Sequence, residues 1–178
     1  MSIQSIPNNL SLLVSHRQIS ETVRRLAMQI NEEYENQPLL VIGVLKGSFI
    51  FLADLVRQVT VPIQLDFIRA TCYGDQKEAN AFARITNKPQ ISLKDKHILV
   101  VEDIVDTGIT TNVIIRYLNR EGVKSIKLCA LLNKVDRRQL EIQVDYSGIL
   151  VPNKFLVGYG LDLAEEYRHL PDIYTFEE

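Results

Sequence analysis

Two short runs that are apolar at nearly every position, Leu39–Leu45 and His97–Val101, most constrain how this 178-residue chain can fold. A strand with one wet face alternates apolar and polar residues. A run without that alternation is covered on both faces, as in a parallel sheet between helices. Helical patterns flank both runs. Ile19, Val23, Leu26, Ala27, Ile30 and Tyr34 recur at helical spacing with charges between them, which predicts a helix over 20–35, capped by Ser20 and broken by Pro38. Further helices are predicted over 47–58 and over 110–120, the latter stopped by Gly122. Strands are predicted over 39–45, 63–70, 97–103 and 126–132, with shorter ones near 147–150 and 155–159. The alternation predicts an α/β fold with a mainly parallel central sheet flanked by helices. Residues 71–96 are polar, with Gly74, Asn80, Asn87 and Pro89 among them, and so long a stretch predicts a lid, a functional loop or a disordered segment. With no repeat, low-complexity tract or clear linker, a single domain over 1–178 is expected.

Composition excludes several functions. Net charge is −2, so there is no basic excess to bind bulk nucleic acid. The two cysteines, Cys72 and Cys129, are far apart and lack a C-x-x-C partner, which predicts reduced thiols rather than a disulfide framework or zinc ribbon. The first residues lack the cationic start and apolar stretch of a signal peptide. No apolar run approaches the roughly 20 residues that span a bilayer. A cytoplasmic protein with no membrane partner is expected.

The chemistry concentrates in Val100–Thr111, VVEDIVDTGITT. An apolar strand ends in Glu102 and Asp103; a short loop and a helix follow. In open α/β sheets ligands bind beyond the carboxyl ends of strands. A helix N-terminus offers unpaired amides and a positive dipole end, which suit a phosphate. Gly108 lets the backbone come close to it, and Thr107, Thr110 and Thr111 add hydroxyls. The two acids suit sugar hydroxyls or a hard cation.

This stretch resembles the phosphoribosyl-pyrophosphate motif of type I phosphoribosyltransferases, and more specifically of the hypoxanthine-guanine phosphoribosyltransferases. Other segments are similar in the same order. Leu45-Lys46-Gly47-Ser48 resembles that family's pyrophosphate loop, Asp66-Phe67-Ile68-Arg69 the lead into its mobile catalytic loop with Tyr73, and Leu131-Leu132-Asn133-Lys134 its base-recognition segment. Pro152–Asp162 resembles its purine-stacking hood, and Arg168 follows at the expected distance. The resemblance covers about residues 40–172.

The resemblance implies a core over about 20–150 and a hood made mainly of 151–178 with the N-terminal segment. It implies transfer of a phosphoribosyl group from phosphoribosyl pyrophosphate to a 6-oxopurine, with magnesium as cofactor. Glu102 and Asp103 would hold the ribose hydroxyls, partly through the metal, and Asp106, Thr107, Gly108, Ile109 and Thr110 would cradle the 5-phosphate. Asp106 would be the general base that takes the proton from purine nitrogen 7. Lys46, Gly47, Cys72, Tyr73 and Arg168 would meet pyrophosphate. Lys134 would donate to the 6-oxo group, Phe155 would stack on the base, and the Leu156 backbone would read its other polar edge. Asp162 would be a second metal ligand beside the purine. The lid near 71–96 would exclude water, the Leu45–Lys46 peptide can be cis, and the chain would form a homo-oligomer, dimer or tetramer. On their own, Asp106 reads as a loop acid or helix cap, Lys134 as a solvated strand-end lysine, Phe155 as core, and Asp162 and Arg168 as surface charges.

Two departures stand out. Cys72 stands where the family usually has serine, and a thiol is a weaker hydrogen-bond partner. Ile109 stands where a polar residue is common, though backbone amides still serve phosphate. Other nucleotide motifs fail: Gly43–Ser48 lacks P-loop order, and Gly158-Tyr159-Gly160 lacks the third glycine of a dinucleotide fingerprint. His16, His97 and His169 have no metal-ligand spacing. The rivals are a related enzyme acting on xanthine or a pyrimidine, and a non-catalytic regulator that keeps the phosphoribosyl-pyrophosphate pocket.

Overall fold

The computed structural model describes residues 9–73 and 82–176. Strand β1 (Leu10–Val14) leads into helix α1 (His16–Glu33), then β2 (Leu39–Leu45), α2 (Phe49–Val56), β3 (Ile63–Tyr73) and β4 (Phe82–Asn87). Strand β5 (His97–Val105), α3 (Ile109–Arg120), β6 (Ser125–Asn133), a single 3-10 turn at Val135–Arg137, β7 (Tyr146–Leu150), β8 (Leu156–Val157) and β9 (Ile173–Phe176) complete the chain.

The predicted helix over 20–35 starts earlier. Its cap is Ser15, which forms a capping box with Gln18 (Ser15 N–H to Gln18 Oε1, 2.9 Å), so Ser20 lies inside the helix. Helix α2 is shorter than the predicted 47–58 because the Ser48 hydroxyl donates back to the Val44 carbonyl at 2.6 Å, closing the strand end rather than capping the helix.

Six strands form the central sheet in the order β4-β3-β2-β5-β6-β7. All neighbours are parallel except β3 and β4. The sheet is covered on both faces, and this is why β2, β5 and β6 carry no polar alternation. Leu39, Val41, Leu99, Val101, Cys129 and Leu131 point to α1 and α2. Leu40, Ile42, Ile98, Val100, Leu128 and Ala130 point to Ile114 and Leu118 of α3. Each strand splits its residues by period 2 between two buried clusters. Gly43 admits α2 close to β2: a Cβ there would stand 2.4 Å from Leu52 Cδ2.

A second, three-stranded sheet, β1-β9-β8, ties the start of the chain to its end, where the hood is expected. It has its own small cluster of Leu10, Val157, Leu170 and Tyr174.

The polar stretch 71–96 resolves into two parts. Strand β4 is paired antiparallel with β3, not open loop, and Ile85 packs on the α3 side of the core. Beyond it, Asp66 Oδ2 accepts from the amides of Gln90 (2.7 Å) and Ile91 (2.8 Å) and pins the chain to β3. The expected lid residues 74–81 and the side chains of Cys72 and Tyr73 lie outside the described residues. No helix among the described residues is long and apolar enough to cross a membrane.

Candidate functional site

Strands β2, β5 and β6 lie side by side and parallel, so their carboxyl ends share one edge of the sheet. From β2 the chain steps to β3 on one side, and later returns to β5 on the other. That reversal opens a crevice between the loops after β2 and β5, the usual ligand position in an open α/β sheet.

The loop after β5 is Asp106-Thr107-Gly108. Gly108 has φ +84° and precedes α3, and a Cβ there would stand 2.8 Å from Ile142 Cγ1. Both the left-handed backbone and the close packing require glycine. No side chain caps the helix at Gly108. The Thr107 carbonyl accepts from the amides of Gln139 (3.0 Å) and Leu140 (3.3 Å). Arg138 braces the loop from behind: Nε donates to the Asp106 carbonyl (3.2 Å) and Nη2 to Asn133 Oδ1 (2.5 Å). The motif reading missed Arg138. Its only sequence signal is the basic pair Arg137-Arg138 just after β6.

The two acids lie near the carboxyl end of β5, which runs past the expected 97–103 to Val105. Glu102 is buried and accepts from the Thr111 hydroxyl at 3.2 Å; burial and the neighbouring Asp103 push its carboxyl well up. Burial also pushes Asp103 up, to about 6, against opposing backbone hydrogen bonds and the Arg168 charge. Asp103 lies directly against the pyrophosphate-like loop, since a Cβ on Gly47 would fall 1.8 Å from its Oδ2. The Leu45–Lys46 peptide in that loop is cis.

A cavity of about 250 Å³ lies between these loops, walled by Gly47, Glu102, Asp103, Asp106, Thr107, Gly108 and Thr110. A second, of about 420 Å³, is walled by Asp106, Lys134, Arg137, Phe155, Leu156 and Asp162. The two share Ile104 and Asp106. Lys134 is only 4 % exposed; its Nζ reaches the Lys154 carbonyl (2.9 Å) and Asp106 Oδ2 (3.4 Å). Arg137 approaches the same oxygen at 3.3 Å. The other oxygen, Asp106 Oδ1, is buried with no hydrogen-bond partner. Phe155, in contrast, is 54 % exposed, with its ring centroid 6.1 Å from that of Phe176.

The hood supplies the remaining residues. Arg168 is held by Asp162 (2.7 Å) and by the Gly160 carbonyl (2.7 Å). Among the described residues, no three His, Cys, Asp or Glu side chains gather around one point that could hold a metal. Glu102 and Asp103 form a two-carboxylate pair, and Asp162, paired with Arg168, is near enough for its charge to raise Asp103 further. Two buried neighbouring carboxyls, each pushed up by burial, suit a hard cation that would stabilise their charged forms and take its other ligands from water and phosphate.

Known proteins share this chain's sequence pattern and fold. The model of the phosphoribosyl transferase domain family matches residues 10–164. The hypoxanthine-guanine phosphoribosyltransferase of Aquifex aeolicus is 39 % identical over 95 % of this chain and 96 % of its own. The hypoxanthine phosphoribosyltransferase of Haemophilus influenzae is 37 % identical over 92 % of this chain and 93 % of its own. A crystal structure of a hypoxanthine phosphoribosyltransferase from Staphylococcus aureus superposes with a TM-score of 0.93 at 33 % identity, covering 99 % of this chain and 97 % of that one.

Proposed function

The chain belongs to the phosphoribosyltransferase family, in its hypoxanthine-guanine group, and on that premise we propose how its residues carry the reaction. It transfers the 5-phosphoribosyl group from phosphoribosyl pyrophosphate to hypoxanthine or guanine, giving IMP or GMP and pyrophosphate, a purine-salvage step. Asp106 is the general base. The observation that carries this assignment is its place on the wall common to both cavities, with one buried oxygen, Oδ1, still without a partner. The purine occupies the larger cavity, stacked on Phe155, with the Lys134 ammonium on its 6-oxo group and the Leu156 backbone at its other edge. Adenine has an amino group at that position, cannot accept from Lys134, and is rejected. The 5-phosphate lies over the amides of 107–110 and the α3 N-terminus.

Glu102 and Asp103 would hold magnesium, with Asp162 at the hood side. When bound, the ion offsets the charge of the departing pyrophosphate. Lys46, Gly47 and Arg168 receive that leaving group, and Cys72 and Tyr73 close over it. The enzyme works in the cytoplasm, where these charged substrates are found, as a dimer or tetramer; exposed Leu12, Met28 and Leu65 offer apolar surface for assembly.

The test is turnover with hypoxanthine, guanine, xanthine and adenine, each with phosphoribosyl pyrophosphate and magnesium. Hypoxanthine and guanine should react, adenine should not, and chelation should stop the reaction. Asp106→Asn should lower kcat by about 10²–10⁴. An unchanged rate would remove Asp106 as base. Preference for xanthine would overturn the substrate reading, and binding without turnover of any base would make the chain a regulator.

A further inference from the structure

The two cations assigned to pyrophosphate already share an anion. Glu165 Oε1 stands 2.8 Å from Lys46 Nζ, and its Oε2 stands 3.0 Å from Arg168 Nη2. One carboxylate thus bridges the loop after β2 and the hood, which are 119 residues apart in sequence. Both cations hold it below the ordinary carboxylate range, so it stays charged at neutral pH.

The backbone is bent to place it there. Leu163 and Glu166 pair across a two-residue turn in which Ala164 has φ +52° and Glu165 φ +69°. Such a turn favours Asn-Gly, because residues with a Cβ are disfavoured at positive φ. An acid held in that conformation against two cations calls for an explanation beyond turn chemistry. Asp162 also binds Arg168, and its Oδ2 accepts the Glu165 amide at 2.9 Å, which fixes the turn under the guanidinium.

We propose that the Glu165 carboxylate is a built-in competitor for the pyrophosphate subsite. It holds Lys46 and Arg168 together in the free protein, and an incoming diphosphate must displace it. The competition favours release of pyrophosphate after transfer. This rests on the assignment of Lys46 and Arg168 to pyrophosphate above. Exposed ion pairs are individually weak, so the competition is modest, and salt should erode it.

The experiment is calorimetric titration of inorganic pyrophosphate into the wild-type protein and into Glu165→Gln, which keeps the side chain's size and removes its charge. GMP, which has no group at this subsite, is titrated as the control. The variant should bind pyrophosphate about three- to tenfold more tightly at low salt, with the gap narrowing as salt rises and GMP affinity unchanged. Unchanged or weaker pyrophosphate binding by the variant, alongside measurable wild-type binding, overturns the proposal alone. A parallel change in GMP affinity also overturns it, since that marks a general effect on the fold. No pyrophosphate binding by the wild type removes the proposal together with the subsite assignment beneath it.

Discussion

Glu102 exposes the conflict that this site builds into single residues. It is buried, the Thr111 hydroxyl donates to it, and burial with the neighbouring Asp103 makes its carboxyl prefer its proton. A carboxyl whose folded-state pKa lies above its unfolded value binds a proton in the folded chain that the unfolded chain releases. Stability therefore falls as pH climbs from about 4 through that raised value. Glu102→Gln removes the penalty. Urea unfolding should find the variant more stable than wild type near pH 8, with the difference shrinking toward pH 4. A difference that stays flat with pH would mean the Glu102 carboxyl is not strained. At this scale the sequence was informative where the residues are contiguous: Glu102 and Asp103 on β5 and Asp106 and Gly108 in the loop after it occupy one cavity wall. It was silent on Arg138 and Glu165. Each acts through a contact distant in sequence, with Asp106 and with Lys46, that no local pattern encodes.

Among the elements, the loop after β2 and the hood meet without room for a side chain. A Cβ on Gly160, at φ +101°, would stand 2.1 Å from the Gly47 carbonyl oxygen, and Gly47 itself lies against Asp103. Gly160→Ala must therefore push the hood away from the loop proposed to receive pyrophosphate. It should cost about 1–3 kcal/mol in chemical denaturation and raise KM for phosphoribosyl pyrophosphate more than KM for the purine. Equal effects on both substrates would show that the contact is only structural. The three long buried strands were legible because burial on both faces leaves an unbroken apolar run. Strands β1, β4 and β9 were not. They are short, they mix polar with apolar residues, and their partners come from tertiary pairing, as in the match of Leu10 with Phe176. The α1 boundary was missed because Ser15 and Ser20 are both plausible caps, and only Ser15 has Gln18 three residues on to complete the box.

In the molecule as a whole, the hood is packed onto the core: Leu156, Tyr159, Leu161 and Ile173 share the buried cluster of α1, α2 and the central sheet, and the Tyr159 hydroxyl donates to Asp54 of α2. The central sheet has a large cluster on each face; hood residues extend one of them, and Leu10, Val157, Leu170 and Tyr174 form a smaller cluster beside it. The cavity that includes Lys134 takes its other wall from Phe155, Leu156 and Asp162 of the hood. A bound nucleotide would therefore add contacts between hood and core that the free chain lacks, and Phe155, exposed without a base, would be covered. Binding only to the folded state stabilises it by about 2.7 kcal/mol at a hundredfold excess over Kd. For a chain of this size that should raise Tm by roughly 5–10 °C. Phosphoribosyl pyrophosphate with magnesium should give such a shift, and magnesium alone much less, since without the substrate's oxygens most of its ligands would be water. Hydrogen exchange should slow on GMP binding at 106–110 and also at 155–162 in the hood. Slowing confined to 106–110 would mean that the hood takes no part in holding the base, and the stacking role of Phe155 would fall with it.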